Sequence, residues 1–257
     1  MYSPLKFLAG SALSNAIEPT MRRRPCRASS LETPLPPPFP TGWRSVRSPK
    51  QPVGHNGVLA IVYRVKSLIV GTVTESTRAE GVAAVAAATF PLACPPHSTP
   101  ENIAAHISAH LSADKFAEYI ADPAKQVLAA HDDTGAMIGY ALLVYGRPDD
   151  PQVLAALESA DGGAAALGAD TVAEVSKMYV LPDHHAARNE AKPAHALMQA
   201  SLSAAHEYGA DYIWLGVNEL NERAQKYYRK MGFTQIGTKT FDMNGTVEHD
   251  HVMGRPL

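Results

Sequence analysis

The sequence predicts one mixed α/β domain of the α+β kind: a central sheet of about seven strands flanked by helices, behind a disordered N-terminal tail. Three observations carry this. Apolar runs rich in β-branched and aromatic residues alternate with amphipathic segments at helical spacing, and from Leu68 onward the order reads β-α-α-β-β-β-α-β-α-β-β without an internal repeat. Composition divides the 257 residues in two: residues 1–68 hold ten of the twenty prolines and ten Lys/Arg against Glu18 and Glu32, net +8, while the remainder carries 13 Lys/Arg against 23 acids, net −10. No apolar run approaches the roughly 20 residues that a membrane-spanning helix needs.

The domain boundary is therefore set at 1–67 for the tail and 68–257 for the folded domain. Pro34 to Pro40 reads PLPPPFP, an extended polyproline-like segment whose surroundings cannot form a core. Three readings stand for this region: a disordered tail, an Arg/Ser-rich targeting segment, or upstream sequence from a misplaced start. Arg22, Arg23 and Arg24 beside Pro25 read as a solvated charge run rather than a nucleic-acid site. Cys26 and Cys94 provide no disulfide framework and no metal-ligand spacing, so a reducing, cytoplasmic setting is expected.

Taken in order, Leu68–Thr74 reads as a strand and Arg78–Thr89 as an Ala/Val-rich helix stopped ahead of Pro91. Thr99-Pro100-Glu101 is a helix start, with Ile103, Ile107 and Leu111 on its apolar face. Ser112–Ala121 reads as a second short helix. Strands follow at Gln126–His131 and Met137–Tyr145, joined through the turn residues Asp132-Asp133-Thr134-Gly135. The Ala/Gly-rich stretch Asp149–Asp170 is expected to be a long loop with one helical turn near Val153–Glu158. Val172–Leu181 is the next strand, and Pro193–Tyr208 a helix closed by Gly209. Thr234–Phe241 and Thr246–Met253 form a terminal hairpin around Asn244-Gly245.

The most informative stretch lies between these last elements. Trp214 to Phe233 reads WLGVNELNERAQKYYRKMGF: a buried strand, then a helix with Leu220, Ala224, Tyr227, Tyr228 and Met231 on its apolar stripe. Asn218 and Asn221 are N-cap candidates, and Gly232 ends the helix.

Asn221, Ala224, Tyr227, Tyr228, Gly232 and Phe233, followed by the hairpin and the terminal VMGRPL, resemble the GNAT superfamily of N-acetyltransferases. ATF at Ala88–Phe90, ADP at Ala121–Pro123 and IGYALLV at Ile138–Val144 resemble the PaiA-like polyamine acetyltransferases within it. The resemblance implies a GNAT fold and transfer of an acetyl group from acetyl-CoA to a primary amine, with a polyamine or other small amine as acceptor. Such a reaction needs a base for the amine, whose pKa is about 10.4 when free, a donor for the oxyanion, and an acid for the departing thiolate.

The resemblance implies Tyr228 as that acid and Asn221 as a contact to the cofactor arm. Main-chain groups of Met178, Tyr179 and Val180 would run alongside the pantetheine. On strand Val172–Leu181, period-two alternation puts Glu174, Ser176, Met178 and Val180 on one face, and relatives carry a base on this strand, so Glu174 is the expected base. The family's phosphate loop should follow, yet no glycine occurs from Pro182 to Tyr208. Its place is taken by His185, Arg188, Ala191, Lys192 and Ala194. Alanine disfavours φ > 0 by about 1–2 kcal/mol, while Arg188 and Lys192 offer direct charge to phosphate. A second reading follows from this departure: a catalytically impaired GNAT-fold binding or regulatory module. His184-His185 and His249-x-His251 lack a third ligand at metal spacing, so no metal is expected. Expected partners are a small amine and, for the protein itself, a homodimer; no nucleic acid and no membrane.

Overall fold

The computed structural model describes residues 62–65, 68–94, 97–184, 192–243 and 246–257. Eight strands form one sheet: β1 Val62–Val65, β2 Leu68–Thr72, β3 Lys125–His131, β4 Met137–Tyr145, β5 Val172–Val180, β6 Tyr212–Asn218, β7 Thr234–Met243 and β8 Thr246–Pro256. Their spatial order is β1-β2-β3-β4-β5-β6-β8-β7. All neighbours are antiparallel except β5 and β6. The seven expected strands are present, and β1 adds an eighth inside the segment assigned to the tail.

Seven helices accompany the sheet: α1 Ala79–Thr89, α2 Pro100–His110, α3 Ala113–Ala121, α4 Pro151–Ser159, α5 Gly163–Ala169, α6 Pro193–Tyr208 and α7 Glu222–Lys230. Thr99 and, of the two candidates, Asn221 act as N-caps, and Ser112, read as the first residue of a helix, is the cap of α3. Thr99 accepts from Asn102 N at 3.2 Å, Ser112 from Lys115 N at 3.3 Å, and Asn221 from Ala224 N at 3.1 Å.

Stretch 149–170 departs from the expected loop. It folds into α4 and α5 because Asp150-Pro151 is itself a start signal: Asp150 caps Gln152 N at 2.8 Å and Pro151 takes the first helical position. Val153, Ala156 and Leu157 then form an i, i+3, i+4 stripe that is buried. With Ala166 and Leu167 of α5 they cover Val172, Tyr212, Trp214 and Val252, a satellite core beside the main one. Backbones approach closely here, since a Cβ on Gly237 of β7 would lie 2.6 Å from Ala156 Cβ.

The layers follow from neighbouring residues on β4. Phe116 of α3 packs edge-on against Tyr140, with centroids 5.2 Å apart. A Cβ on the adjacent Gly139 would instead meet Leu197 of α6. Successive strand residues face opposite ways, so α3 and α6 cover opposite faces.

Candidate active site

Among the described strands β5 and β6 are the only parallel pair, and they stay paired over just three residues: Val172↔Tyr212, Ala173↔Ile213 and Glu174↔Trp214. Beyond Glu174 they part. The opposite edge of β5 remains bonded to β4, with Ala141↔Met178, Tyr140↔Tyr179 and Gly139↔Val180 as partners. Backbone donors and acceptors inside a protein need partners. A wedge between parting strands suits an extended ligand that carries amides of its own.

The β4–β5 register shifts between Leu142 and Leu143. Leu142 opposes Lys177 and Leu143 opposes Val175, so Ser176 is the extra residue of a β-bulge. This corrects the expected alternation. Val144, Leu142 and Tyr140 share one face of β4, and their partners Glu174, Lys177 and Tyr179 therefore share it on β5. Met178 and Val180 fall on the α6 face instead.

At the closed end of the wedge stand Glu174 and Lys177. Glu174 is partly exposed as a residue, but its carboxyl group lies inside, and burial raises its pKa against the pull of Lys239, Lys177 and a hydrogen bond from Ser176. Lys177 is 8% exposed, and its pKa is pushed down to about 8 by burial. Glu174 opposes that shift, while Lys239 and Lys125 add to it. Lys177 Nζ sits over the Tyr119 ring at 5.9 Å from the centroid. Lys239, 3% exposed on β7, reaches Trp214 at 5.8 Å and Phe241 at 5.9 Å. Neither lysine stands out in the sequence. The signal that finds them is register: Lys239 lies opposite the buried Asp250, as Lys177 lies opposite Leu142.

Along the same face, Glu248 of β8 accepts from Asn218 Nδ2 at 3.1 Å and bonds His97 Nε2 at 2.7 Å. Glu248 and Asp250 are 4% and 1% exposed. Sequence reasoning passed over both, because acids in a terminal hairpin look solvated.

Helix α7 follows β6 in the chain, and its Tyr228 is close enough to Tyr179 of β5 to couple electrostatically with it. Tyr228 is fully buried, edge-on to Tyr227 at 5.6 Å and Phe233 at 5.8 Å. Burial holds its phenol well above the ordinary value, with Tyr227 and Tyr179 adding to the shift. Tyr227 donates from its hydroxyl to Ala194 O at 3.0 Å and so ties α7 to the first turn of α6. Asn218 Oδ1 accepts from Leu220 N at 3.1 Å, and Gln225 Nε2 donates to Glu219 O at 2.9 Å, which fixes the turn that presents Asn221.

Of the residues expected around phosphate, His185, Arg188 and Ala191 lie outside the described residues. Lys192 caps α6 with φ 49° and ψ 64°, a left-handed conformation, followed by Pro193 at the first helical position. A positive φ, which glycine adopts without strain, is thus held here by a lysine, at a cost of about 1–2 kcal/mol. Among the described residues, no group of three or more His, Cys, Asp or Glu is placed to hold a metal ion. No helix among them is long and apolar enough to cross a membrane.

A sheet whose central parallel strands part, with ionisable groups at the closed end of the gap, leaves backbone and charged groups open to an extended ligand. The comparisons supply the family. The family described as Acetyltransferase (GNAT) family matches residues 92–233. An uncharacterized N-acetyltransferase of Mycobacterium bovis is 43% identical over 181 residues, covering 70% of this chain and 99% of that protein, and counterparts from two Mycobacterium tuberculosis strains match equally. The chain belongs to the GNAT family of N-acetyltransferases. Among solved structures, the PaiA N-acetyltransferase of Thermoplasma acidophilum in complex with coenzyme A aligns over 73% of this chain and 99% of its own, at TM-score 0.52 and 17% identity. A Vibrio cholerae spermidine N-acetyltransferase chimera aligns over 74% of this chain and 96% of its own, at TM-score 0.50 and 15% identity. At these identities the two structures establish likeness of fold.

Proposed function

We propose that the chain transfers the acetyl group of acetyl-CoA to a small primary amine, with polyamines as the favoured acceptors. The observation that carries this reading is the wedge between β5 and β6, closed by Glu174↔Trp214, with the buried Tyr228 coupled to Tyr179 of β5. In this reading the pantetheine lies along Met178, Tyr179 and Val180 as an added strand, and Asn221 contacts the cofactor arm. Lys192 and Ala194, together with His185, Arg188 and Ala191 as assigned from the sequence, are the residues this reading gives to the phosphates. Glu174 and the electrostatically coupled Lys177 together supply the base function, and Tyr228 protonates the departing thiolate. A cationic acceptor is favoured by Glu248 and Asp250, buried carboxylates on the face of β8 that adjoins Asn218.

The test is a thiol-release screen with acetyl-CoA against polyamines, amino acids, aminoglycosides and peptide N-termini, alongside calorimetric titration of acetyl-CoA. The expected result is acetyl-CoA binding and fastest turnover with a polyamine. Binding without turnover of any amine overturns the catalytic reading, and faster turnover of another class overturns the polyamine assignment alone.

A further inference from the structure

We propose that Lys177, in its neutral form, receives the proton that the acceptor ammonium must lose, and that Glu174 is the carboxylate that steadies the lysine once charged. The inference rests on the acetyl-transfer reading above and assigns the roles within its proton-accepting pair.

Geometry brings Lys177 to this place. The Ser176 bulge turns it onto the face of Glu174 and Tyr179, three residues past the last β5–β6 partner pair. Without the bulge, unbroken alternation from Glu174 through Val175 and Ser176 would send Lys177 to the α6 face. Bulges cluster where a strand must re-aim a side chain beside an active site. The groups facing Lys177 are Glu174 on its own strand, Lys239 of β7, Lys125 of β3, His106 and His110 of α2, and Tyr119 of α3. Burial beside two other lysines lowers the proton affinity of Lys177, so that the neutral amine becomes available near pH 8, and Glu174 is at hand to stabilise the charged form.

Proton affinities favour the same assignment. An acceptor ammonium with a pKa of about 10.4 gives its proton to a group at about 8 against a ratio of roughly a few hundredfold. A carboxylate at its ordinary value of 4.5 would face a ratio near a million, and burial raises Glu174 from there. A base with a pKa near the working pH combines availability with driving force.

The balance closes. Lys177 takes one proton from the ammonium, and the free amine attacks the thioester carbonyl. The C–N bond forms and the C–S bond breaks. The second nitrogen proton leaves with the amide's formation, and Tyr228 hands an equivalent proton to the thiolate and is itself reprotonated. Lys177 returns its proton to solvent, so the products are the acetamide, free CoA thiol and one released proton.

The test compares pH profiles of kcat at saturating butylamine for the wild type, Lys177→Met and Glu174→Gln. Acetyl-CoA affinity is measured by calorimetry on each, and the lysine is titrated by NMR in selectively labelled protein. Wild-type kcat should rise through about pH 8, following the NMR titration of Lys177. Lys177→Met should lose this limb and about 10²–10⁴-fold in kcat at neutral pH, with acetyl-CoA affinity kept. Glu174→Gln should retain the limb and move it to lower pH, since the lost carboxylate holds the lysine's pKa up. The opposite pattern overturns the proposal: collapse of Glu174→Gln at neutral pH while Lys177→Met keeps the limb. An ordinary lysine titration in an active wild type overturns this inference and leaves acetyl transfer standing. A lysine titrating near 8 in a protein that acetylates no amine overturns the functional reading itself, and the proton assignment with it.

Discussion

Replacing Tyr228 with Phe separates chemistry from packing at the thiol end of the site. The residue is fully buried on α7, and its ring contacts Tyr227 at 5.6 Å and Phe233 at 5.8 Å, both of which a phenylalanine ring keeps. Burial holds the phenol well above its ordinary value, so it carries its proton throughout the neutral range and acts there as a donor. Removing a positioned acid costs about 10²–10⁴-fold in rate, and a hundredfold loss corresponds to roughly 2.7 kcal/mol of barrier. Loss of one buried hydroxyl changes stability by about 1 kcal/mol, well short of unfolding a domain. Tyr228→Phe should therefore lose at least a hundredfold in kcat, keep its acetyl-CoA affinity within about threefold, and melt within a few degrees of the wild type. Stopped-flow thiol release, calorimetry and thermal melting provide the three readings. An acetyl thioester of a far more acidic thiol needs no help in leaving, so the deficit should shrink with that donor. Unchanged kcat removes Tyr228 from the mechanism, and an equal deficit with both donors refutes the leaving-group role.

Other perturbations test the frame around the site. A Cβ on Gly139 would lie 2.8 Å from Tyr179 O and 3.1 Å from Leu197 Cδ1. Gly139→Ala should thus cost about 1–3 kcal/mol in denaturant melts and weaken acetyl-CoA binding by displacing the β5 backbone. Lys177→Met should stabilise the fold at pH 7. With a folded pKa of about 8 below the unfolded value of about 10.5, the unfolded chain binds the extra proton between those values, so the folded state is penalised below about pH 8 and relieved above it. The full penalty is about 3 kcal/mol, and the gain from the substitution should vanish above pH 10. The fully buried Tyr140 hydroxyl has no hydrogen-bond partner among the described residues, so Tyr140→Phe should raise stability by about 1–2 kcal/mol in the same melts. His106 stacks on Phe90 at 4.5 Å, and burial lowers its pKa to about 4. The unfolded chain gains that proton first, so helix 100–110 should lose stability as pH falls from about 6.5 to 4. Hydrogen exchange will show this, and a His106→Phe variant should resist it.

Elements with unbroken periodicity were legible in the sequence. Met137–Tyr145 and Pro193–Tyr208 form a strand and a helix with those bounds, because their apolar spacing is uninterrupted and Pro193 and Gly209 punctuate the helix. Asn221 was legible from residue type as an N-cap and Tyr228 as part of an apolar stripe, while their site roles came from the resemblance to the GNAT superfamily. The bulge could not. Inserting Ser176 opposite no partner leaves no residue signature, yet it reverses the facing of every later residue on β5. Period-two reading consequently grouped Glu174 with Met178 and left Lys177 unconsidered. Lys239, Glu248 and Asp250 were missed for a related reason. Charge in an extended segment looks solvated until long-range pairing with β6 and packing by α4 and loop residue His97 close over it. Stretch 149–170 was a misreading of another sort, since Asp150-Pro151 was a local signal already present.

The cost of this polar face argues for its use. Lys177, Lys239, Glu248 and Asp250 are each less than a tenth exposed, and the carboxyl of Glu174 lies with them. Burying one charge costs several kcal/mol unless it is well paired, and an apolar replacement of similar volume is often the more stable choice. Nothing in the sheet's hydrogen bonding requires ionisable side chains at these positions, and the α6 face of the same strands carries Met178, Leu215 and Val217 without them. Three carboxyl groups against the ammonium of Lys239 and a neutral Lys177 leave the groove short of positive charge, and a singly charged amine entering there supplies one. Passing its proton to a neutral Lys177 would then move charge within the groove without changing the total, so the low-dielectric surroundings that make the cluster costly in the empty protein would ease the transfer in the filled one.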